Sequence, residues 1–400
     1  MPRARQICEP IAPFGGRLVD LVADDEARES LLRRARALPV VPISLRSQYD
    51  LEMLAVGAFS PLDRFMGADD YHSVLDEMRL SSGTLFPIPV ALPVSPDLLS
   101  GAPREVALTD ACGAVLAVLE VDELYRYDRD HELSTVLGTT AGDHPLVAES
   151  SGQPTHYLAG RPVVLDLPCH RLHGPLCGTP TQARARLAAL GHEQVVAFQT
   201  RNPMHRIHEE LTKRAARAVG GTLLVHPVVG VTRPGDVHHA LRVEVYEVLV
   251  RNYYDPAATL LSLLPLAMRF AGPREALWHA IIRRNYGATH LIVGRDHAGP
   301  GKDSRGVPFY RPYEAQALVK RYRDETGVEP IEFEELVYLA DEDRYEQASR
   351  VPSGARVFAI SGTQVRDEYL ATGKRLPEWF TRPEVAEILQ RTGTADTGAR

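Results

Sequence analysis

The sequence predicts an α/β protein: an N-terminal region of mostly β character, a parallel sheet with helices packed on it, and a small α/β segment closing the chain. Three observations carry this. From about residue 180, apolar runs of strand length alternate with stretches of helix length, the texture of βαβ units around a parallel sheet. The first third instead sets short apolar runs among Pro, Gly and Asp, which read as strands parted by turns. At 400 residues, the chain also exceeds the roughly 100–200 residues of an ordinary domain, so two or three units are expected. Boundaries near 175 and 330 divide it into residues 1–175, 176–330 and 331–400.

In the first unit, Leu85 to Val94 (LFPIPVALPV) and Ala114 to Val121 (AVLAVLEV) are predicted strands, and Tyr71 to Met78 is one of a few helices. The second unit opens with a helix over Thr181 to Leu190 and a strand over Val195 to Phe198. A helix follows Pro203, because Ile207, Leu211, Ala215 and Ala218 recur on one face. Thr222 to Val229 reads as a buried strand, Pro273 to Tyr286 as a helix and His290 to Gly294 as a strand. In the third unit Val357 to Ile360 is a predicted strand, and Ser361-Gly362-Thr363 starts a helix.

Composition excludes several functions. With 44% hydrophobic and 24% charged residues the chain is a soluble globular type. Its 45 Lys and Arg against 52 Asp and Glu leave a formal charge of −7, unlike a protein coated for nucleic acid, so any anion site must be local. Cys8, Cys112, Cys169 and Cys177 are too few and scattered for a disulfide scaffold, which points to a reducing cytoplasm. The start, MPRARQICEPIAPFGGR, lacks the apolar stretch of a secretory signal. Thr259 to Met268 is about half the length of a membrane span and contains Pro265, so no membrane association is expected.

The most informative segment is QTRNPMHRIHE at 199–209, which puts polar and cationic groups between a strand and a helix. In open α/β sheets ligands bind outside the carboxyl ends of strands. A helix N-terminus opened by Pro203 adds unpaired N–H groups and partial positive charge, which favours phosphate or sulfate. His205 and His208, three apart, share a helix face. Arg201, Asn202, His205, Arg206 and His208 thus form an anion-binding cluster, and the window Gln199 to Arg214 sets Arg201, Arg206, Lys213 and Arg214 against Glu209 and Glu210. A second cluster, GRDHAGPG at 294–301, follows another strand; its glycines permit close backbone approach, and Arg295 and His297 offer charge and hydrogen bonds. It has neither the spacing of a dinucleotide fingerprint nor the ending of a P-loop. Ile360 to Arg366 is a third, reading either as a phosphate-holding helix start or as an ordinary N-cap.

These motifs, in order, resemble the ATP sulfurylase family of the nucleotidyltransferase superfamily. The resemblance covers nearly the whole chain and includes Asp50-Leu51-Glu52-Met53-Leu54, Gly57 to Leu62 (GAFSPL), Gly138-Thr139-Thr140 with His144-Pro145, the 199–209 run, Met268 to Ala276 (MRFAGPREA), GRDHAGPG and Ile360 to Arg366. It implies a PUA-like N-terminal domain, a Rossmann-like catalytic domain and a C-terminal subdomain completing the nucleotide site. The implied reaction is attack of sulfate on the α-phosphorus of ATP, giving adenosine 5′-phosphosulfate and pyrophosphate. By the same resemblance Gln199, Arg201 and the backbone of Ala298 bind sulfate. Thr200, Arg201 and Asn202 match the active-site run, and His205 and His208 contact the β- and γ-phosphates. Gly294, Arg295, Asp296 and His297 form the second nucleotide segment, and Leu336 contacts adenine. Thr200, Arg201, Asn202, His205, His208 and Arg295 are therefore the expected catalytic residues.

Sulfate is already ionised, so catalysis calls for positioning and electrostatic stabilisation rather than a base, with magnesium on the pyrophosphate oxygens. No zinc is expected: Ala340 to Tyr345 (ADEDRY) lacks the cysteines of zinc-bearing relatives, while the metal question at Cys169, His170, His173 and Cys177 stays open. GPGKDSRGVPFYRPY at 299–313 resembles the longer loop of fungal-type members. The end at Arg400 and the lack of a P-loop suggest a form without an adenylylsulfate kinase domain. A homodimer or larger homo-oligomer serving sulfate assimilation is expected. A different nucleotidyltransferase on the same fold, or an RNA-binding relative built on the PUA-like module, are the competing readings.

Overall fold

Proline decides how much of the first third becomes sheet. The protein is represented by a computed structural model in which residues 9–99, 101–233 and 236–391 are described. Five strands, β1 (Val40–Pro42), β2 (Leu92–Val94), β3 (Glu105–Thr109), β4 (Val115–Arg126) and β5 (His156–Val164), form one sheet in the order β1-β3-β4-β5-β2. Of the expected strand over 85–94, Leu92–Val94 alone pairs as a strand, at the sheet edge. Pro87 and Pro89 have no N–H to donate, so Leu85, Phe86, Ile88 and Val90 are buried outside the ladder.

The few helices expected beside the sheet number six among the described residues: α1 (Asp25–Ala35), α2 (Leu45–Ala55), α3 (Ala68–Glu77), α4 (Arg129–Leu137), α5 (Pro145–Ser150) and α6 (Pro168–His173). The starts of α1, α2 and α4 are marked by single capping residues: the side chains of Asp24, Ser44 and Asp128 accept N–H groups of Ala27, Ser47 and His131.

The second sheet is wholly parallel. Its strands β6 (Val195–Phe198), β7 (Thr222–Val225), β8 (Thr259–Leu261), β9 (His290–Val293) and β10 (Glu329–Glu332) lie in the order β10-β9-β6-β7-β8. From central β6 the chain winds outward through β7 and β8, then returns to start the other half at β9. The order reverses between β6 and β9, which opens a crevice at their carboxyl ends. Connecting helices are α7 (Pro180–Leu190), α8 (Arg206–Val219), α9 (His239–Tyr253), α10 (Gly272–Asn285), α11 (Glu314–Arg321) and the short α12 (Arg323–Thr326). A Thr179–Gln182 capping box and left-handed Gly191 bound α7. β7 stops at Val225 rather than Val229, since Pro227 cannot continue the ladder.

The expected boundary at 330/331 falls inside β10, an edge strand of the parallel sheet. Beyond it, β11 (Leu336–Leu339), β12 (Arg344–Gln347) and β13 (Val357–Phe358) make a small antiparallel sheet, β13 being shorter than the expected 357–360. After α13 (Gly362–Gln364) and a π-type turn over Val365–Leu370, α14 (Pro383–Gln390) returns to α9, where Val385 and Leu389 share one core with Val245 and Leu249. The N-terminal region is joined as closely. The Phe59 ring stacks on buried Trp278 at 4.7 Å, and Asp50 pairs with Arg269 at 2.6 Å.

Candidate active site

Where β6 and β9 end side by side, the loops leaving them enclose a cleft of about 530 Å³. Gln199, Thr200, Arg201, Asn202, His205 and His208 line it from the β6–α8 connection. Gly294, Arg295, Asp296, His297 and Ala298 line it from the loop after β9, and Leu336 from the start of β11. The residues that the family resemblance assigns to sulfate and nucleotide therefore line one space, whereas Arg206 of the same anion cluster does not.

The turn after β6 is self-braced: the Asn202 N–H donates to Thr200 Oγ1 at 3.1 Å. Arg201 donates from Nε to Asp236 at 3.2 Å, and its guanidinium lies 5.1 Å from the centre of the Phe270 ring. From α9, buried Arg242 donates to the carbonyls of Arg201 at 2.7 Å and Val228 at 2.9 Å, while the Tyr246 hydroxyl donates to the Asn202 carbonyl at 2.9 Å. Asp236, Arg242 and Tyr246 were not anticipated. Their signal was faint, an Arg and a Tyr four apart on one face of a helix.

His205 is the N-cap of α8, and its backbone N–H donates to His208 Nδ1 at 3.0 Å. With Nδ1 accepting, the neutral ring of His208 carries its proton on Nε2. Burial pushes the pKa of His208 down to about 4; burial and then the neighbouring His208 push that of His205 down to about 3. Both imidazoles are accordingly neutral at pH 7. They serve as hydrogen-bonding groups rather than fixed positive charges. His205 Nδ1 lies 3.0 Å from Thr381 Oγ1, and its ring packs 4.4 Å from Phe380.

Three cations expected to help focus anions have other partners. The Arg206 guanidinium donates to the Glu378 carbonyl at 3.0 Å, Lys213 pairs with Glu209 and Arg214 with Glu210, each at 2.6 Å. Glu209 also receives Arg382 at 2.8 Å, which ties α8 to the C-terminal segment. Arg201 is the cation of that window that lines the cleft.

In the second loop His297 is buried, with Nε2 3.0 Å from Nδ1 of His279; burial and then His279 hold its pKa well below the ordinary range. Arg295 is exposed and pairs with Glu335 at 3.2 Å. A Cβ at Gly299 would lie 2.0 Å from the Asp296 carboxylate, so glycine here leaves room for that side chain's present position. Ala298 holds φ of 58°. Leu336 is backed by an aromatic wall not foreseen in the sequence, Tyr338 stacked on Trp379 at 5.2 Å. At the third motif Ser361 and Gln364 form a reciprocal capping box, so that hydroxyl is occupied as a cap; Ile360 and Gly362 still line the cleft. The side chains of Thr363 and Arg366 lie outside the described residues, as does Cys8.

At the junction ahead of the parallel sheet, Glu52 accepts the Cys169 N–H at 2.7 Å and meets His170 Nδ1 at 2.7 Å, while Cys177 Sγ donates to the Leu263 carbonyl at 3.6 Å. Among the described residues no group of three or more His, Cys, Asp or Glu is arranged to hold a metal ion.

A family model described as ATP-sulfurylase matches residues 175–392, more than half of the chain. The chain belongs to the ATP-sulfurylase family. A second model, described as a PUA-like domain, matches residues 11–166 ahead of the ATP-sulfurylase portion. Curated relatives named sulfate adenylyltransferase include one from Phaeosphaeria nodorum, 46% identical over 387 residues, and one from Neurospora crassa, 46% identical over 389. Each alignment covers 95% of this chain and 67% of the relative. A solved structure titled hexameric APS kinase from Thiobacillus denitrificans superimposes with a TM-score of 0.76 at 30% identity, over 95% of this chain and 68% of that one. This ATP-sulfurylase family member therefore combines a PUA-like N-terminal domain with a nucleotide-binding α/β fold.

Proposed function

We infer that this member of the ATP-sulfurylase family is a sulfate adenylyltransferase, joining sulfate to the α-phosphorus of ATP with release of pyrophosphate. The observation that carries the residue assignment is the convergence of the Arg201 guanidinium with two neutral imidazoles, His205 and His208, at the switch point of the parallel sheet. Such a set suits polyanions and provides no general base, which a fully ionised sulfate nucleophile does not require.

In the proposed reaction Gln199, Arg201 and the backbone of Ala298 hold sulfate, and Thr200 and Asn202 shape the turn that presents Arg201. His205 and His208 act as hydrogen-bonding groups toward the β- and γ-phosphates, with Nε2–H the donor of His208. Gly294, Arg295, Asp296 and His297 flank the ribose and phosphates, and Leu336 contacts adenine against the Tyr338–Trp379 wall. Low exposure of Thr200, His205 and His297 strengthens each of these interactions by keeping water away. Of the carboxylates lining the cleft, Asp236 is engaged by Arg201 and Glu335 by Arg295, and magnesium is proposed to arrive on the nucleotide, where it neutralises pyrophosphate oxygens.

Among the described residues no helix is long and apolar enough to cross a membrane. We propose a cytoplasmic homo-oligomer acting in sulfate assimilation; size-exclusion chromatography with light scattering reads its state. The deciding experiment is pyrophosphate release from ATP with and without sulfate, alongside ATP formation from adenosine 5′-phosphosulfate and pyrophosphate. Release that ignores sulfate would assign the cleft to another acceptor.

A further inference from the structure

Arg201 is gripped on two sides, by Asp236 at Nε and by the ring of Phe270 beneath its guanidinium. Phe270 is 1% exposed and holds φ of 58°, a left-handed backbone that a bulky residue keeps only where its surroundings over-determine it. Those surroundings are complete. One carboxylate, Glu275 on α10, straddles the residue: Oε1 accepts the Arg269 N–H and Oε2 the Ala271 N–H, each at 3.0 Å. The Phe270 carbonyl accepts the Tyr310 hydroxyl at 3.1 Å and lies 3.2 Å from His144 Nε2. His144 Nδ1 accepts the Leu146 N–H, which leaves Nε2 as the donor toward that carbonyl. Arg269, next in the chain, is anchored to Asp50 at 2.6 Å. Two elements of the N-terminal domain, one loop and one helix of the catalytic domain thus meet on residues 269–271.

A guanidinium on a long side chain loses rotamer freedom when it captures an anion, unless it is already held. Lying over an aromatic face, it keeps its in-plane N–H groups free for an oxyanion. With Nε engaged by Asp236, the terminal Nη groups are the donors available to sulfate.

We propose that Phe270 is a positioning residue for the sulfate reaction: clamped by Glu275, Tyr310 and His144, its ring fixes the Arg201 guanidinium in the orientation that meets sulfate. The proposal rests on Arg201 being the sulfate ligand. It gives MRFAGPREA a task, and it makes the N-terminal domain a strut of the anion pocket.

The test is steady-state kinetics of the full chain with Phe270→Leu, Phe270→Tyr and Glu275→Gln. Phe270→Leu keeps apolar bulk without the ring quadrupole and is expected to raise KM for sulfate about 2- to 30-fold, with KM for ATP unchanged. Phe270→Tyr keeps the ring and restores the parental sulfate KM. In Glu275→Gln an amide NH2 replaces one acceptor and opposes a backbone N–H, so it follows Phe270→Leu. If Phe270→Leu does not fold, the unbranched Phe270→Met is read in the same way. Equal changes in both KM values, or a lower melting temperature with both KM values unchanged, return Phe270 to plain packing and overturn the proposal. Arg201→Ala separates the two layers: retained sulfate-dependent turnover removes Arg201 as the ligand, whereas its loss beside parental kinetics in Phe270→Leu removes only the positioning role.

Discussion

The Nε of Arg201 lies 3.2 Å from the carboxylate of Asp236, a side chain only 3% exposed. Removing the guanidinium therefore does two things, taking away a sulfate ligand and stranding a buried charge. Arg201→Ala is expected to abolish sulfate-dependent pyrophosphate release and also to lower the melting temperature, since breaking a buried pair from one side costs about 3–5 kcal/mol. Adding Asp236→Asn should recover much of that stability without restoring turnover, as read by thermal melts beside the release assay. Turnover in either variant would remove Arg201 from the chemistry.

The two histidines of α8 tie stability to pH in a defined direction. In the unfolded chain each titrates near 6.5, whereas burial holds His205 at about 3 and His208 at about 4. Their folded pKa values are depressed, so the unfolded state binds more protons between these limits. Stability is full above about pH 6.5 and falls as pH drops toward 4, by up to about 1.36 kcal/mol per pH unit for each ring. Urea unfolding at pH 7, 6 and 5 should show this slope, and His208→Gln should flatten it. An unchanged slope in that variant would mean that His208 is not buried neutral.

Loss of either ring should appear in the chemical step. His205→Ala and His208→Ala are each expected to lose about 100- to 1000-fold in kcat, the cost of one preorganised donor, with smaller changes in KM. Because neither ring is charged near neutral pH, parental kcat should show no inflection from a histidine between pH 6 and 8. A loss confined to melting temperature would make the pair a packing feature.

Arg242 and Tyr246 fix the backbone on which Arg201 and Asn202 stand. Tyr246→Phe removes one buried hydrogen bond, worth about 0.5–1.5 kcal/mol, and should lower kcat/KM up to about tenfold. Arg242→Gln, which gives up a charged donor to the carbonyls of Arg201, Val228 and Val237, should cost more. Were Arg242→Gln the milder variant in the same assay, α9 would not be setting the turn.

Asp50 and Arg269 form an ion pair across the two domains, each nearly buried, with side-chain exposures of 4% and 7%. Asp50→Ala is expected to lower stability by about 3–5 kcal/mol in chemical denaturation. A loss below about 1 kcal/mol would mean that the pair is hydrated and behaves as a surface bridge.

What could be read in the sequence was what lies close together along the chain. Val195 to Phe198 followed by QTRNP announced a strand, a turn and a helix, and both polar turns of the crevice were found because each directly follows its strand. Arg242 stayed hidden because its bond to the Arg201 carbonyl spans 41 positions and its helix has no unusual composition. The backbone of Phe270 was equally silent, since φ of 58° at an aromatic residue is imposed by Glu275, Tyr310 and His144 rather than by local preference. One miss was avoidable. Glu209 with Lys213, and Glu210 with Arg214, are spaced four apart in the favourable order and pair along the helix, so two of the supposed anion-focusing cations were already neutralised. Of the few N-terminal helices expected, the one over Tyr71 to Met78 was placed, whereas those after Asp24, Ser44 and Asp128 were not, because each start is a one-residue signal beside longer apolar runs.

The wall formed by Tyr338, Trp379 and Phe380, with Thr381 against His205, closes a cleft whose floor is laid down from residue 199 onward. On the ribosome these parts emerge in that order, separated by the synthesis of about 180 residues. A nascent chain can thus build its parallel sheet and expose the Arg201 turn well before it can grip a nucleotide. On the proposed reading, adenine finds its wall only after Phe380 has left the exit tunnel, so nucleotide can stabilise what has folded by then but cannot template the folding of the earlier parts.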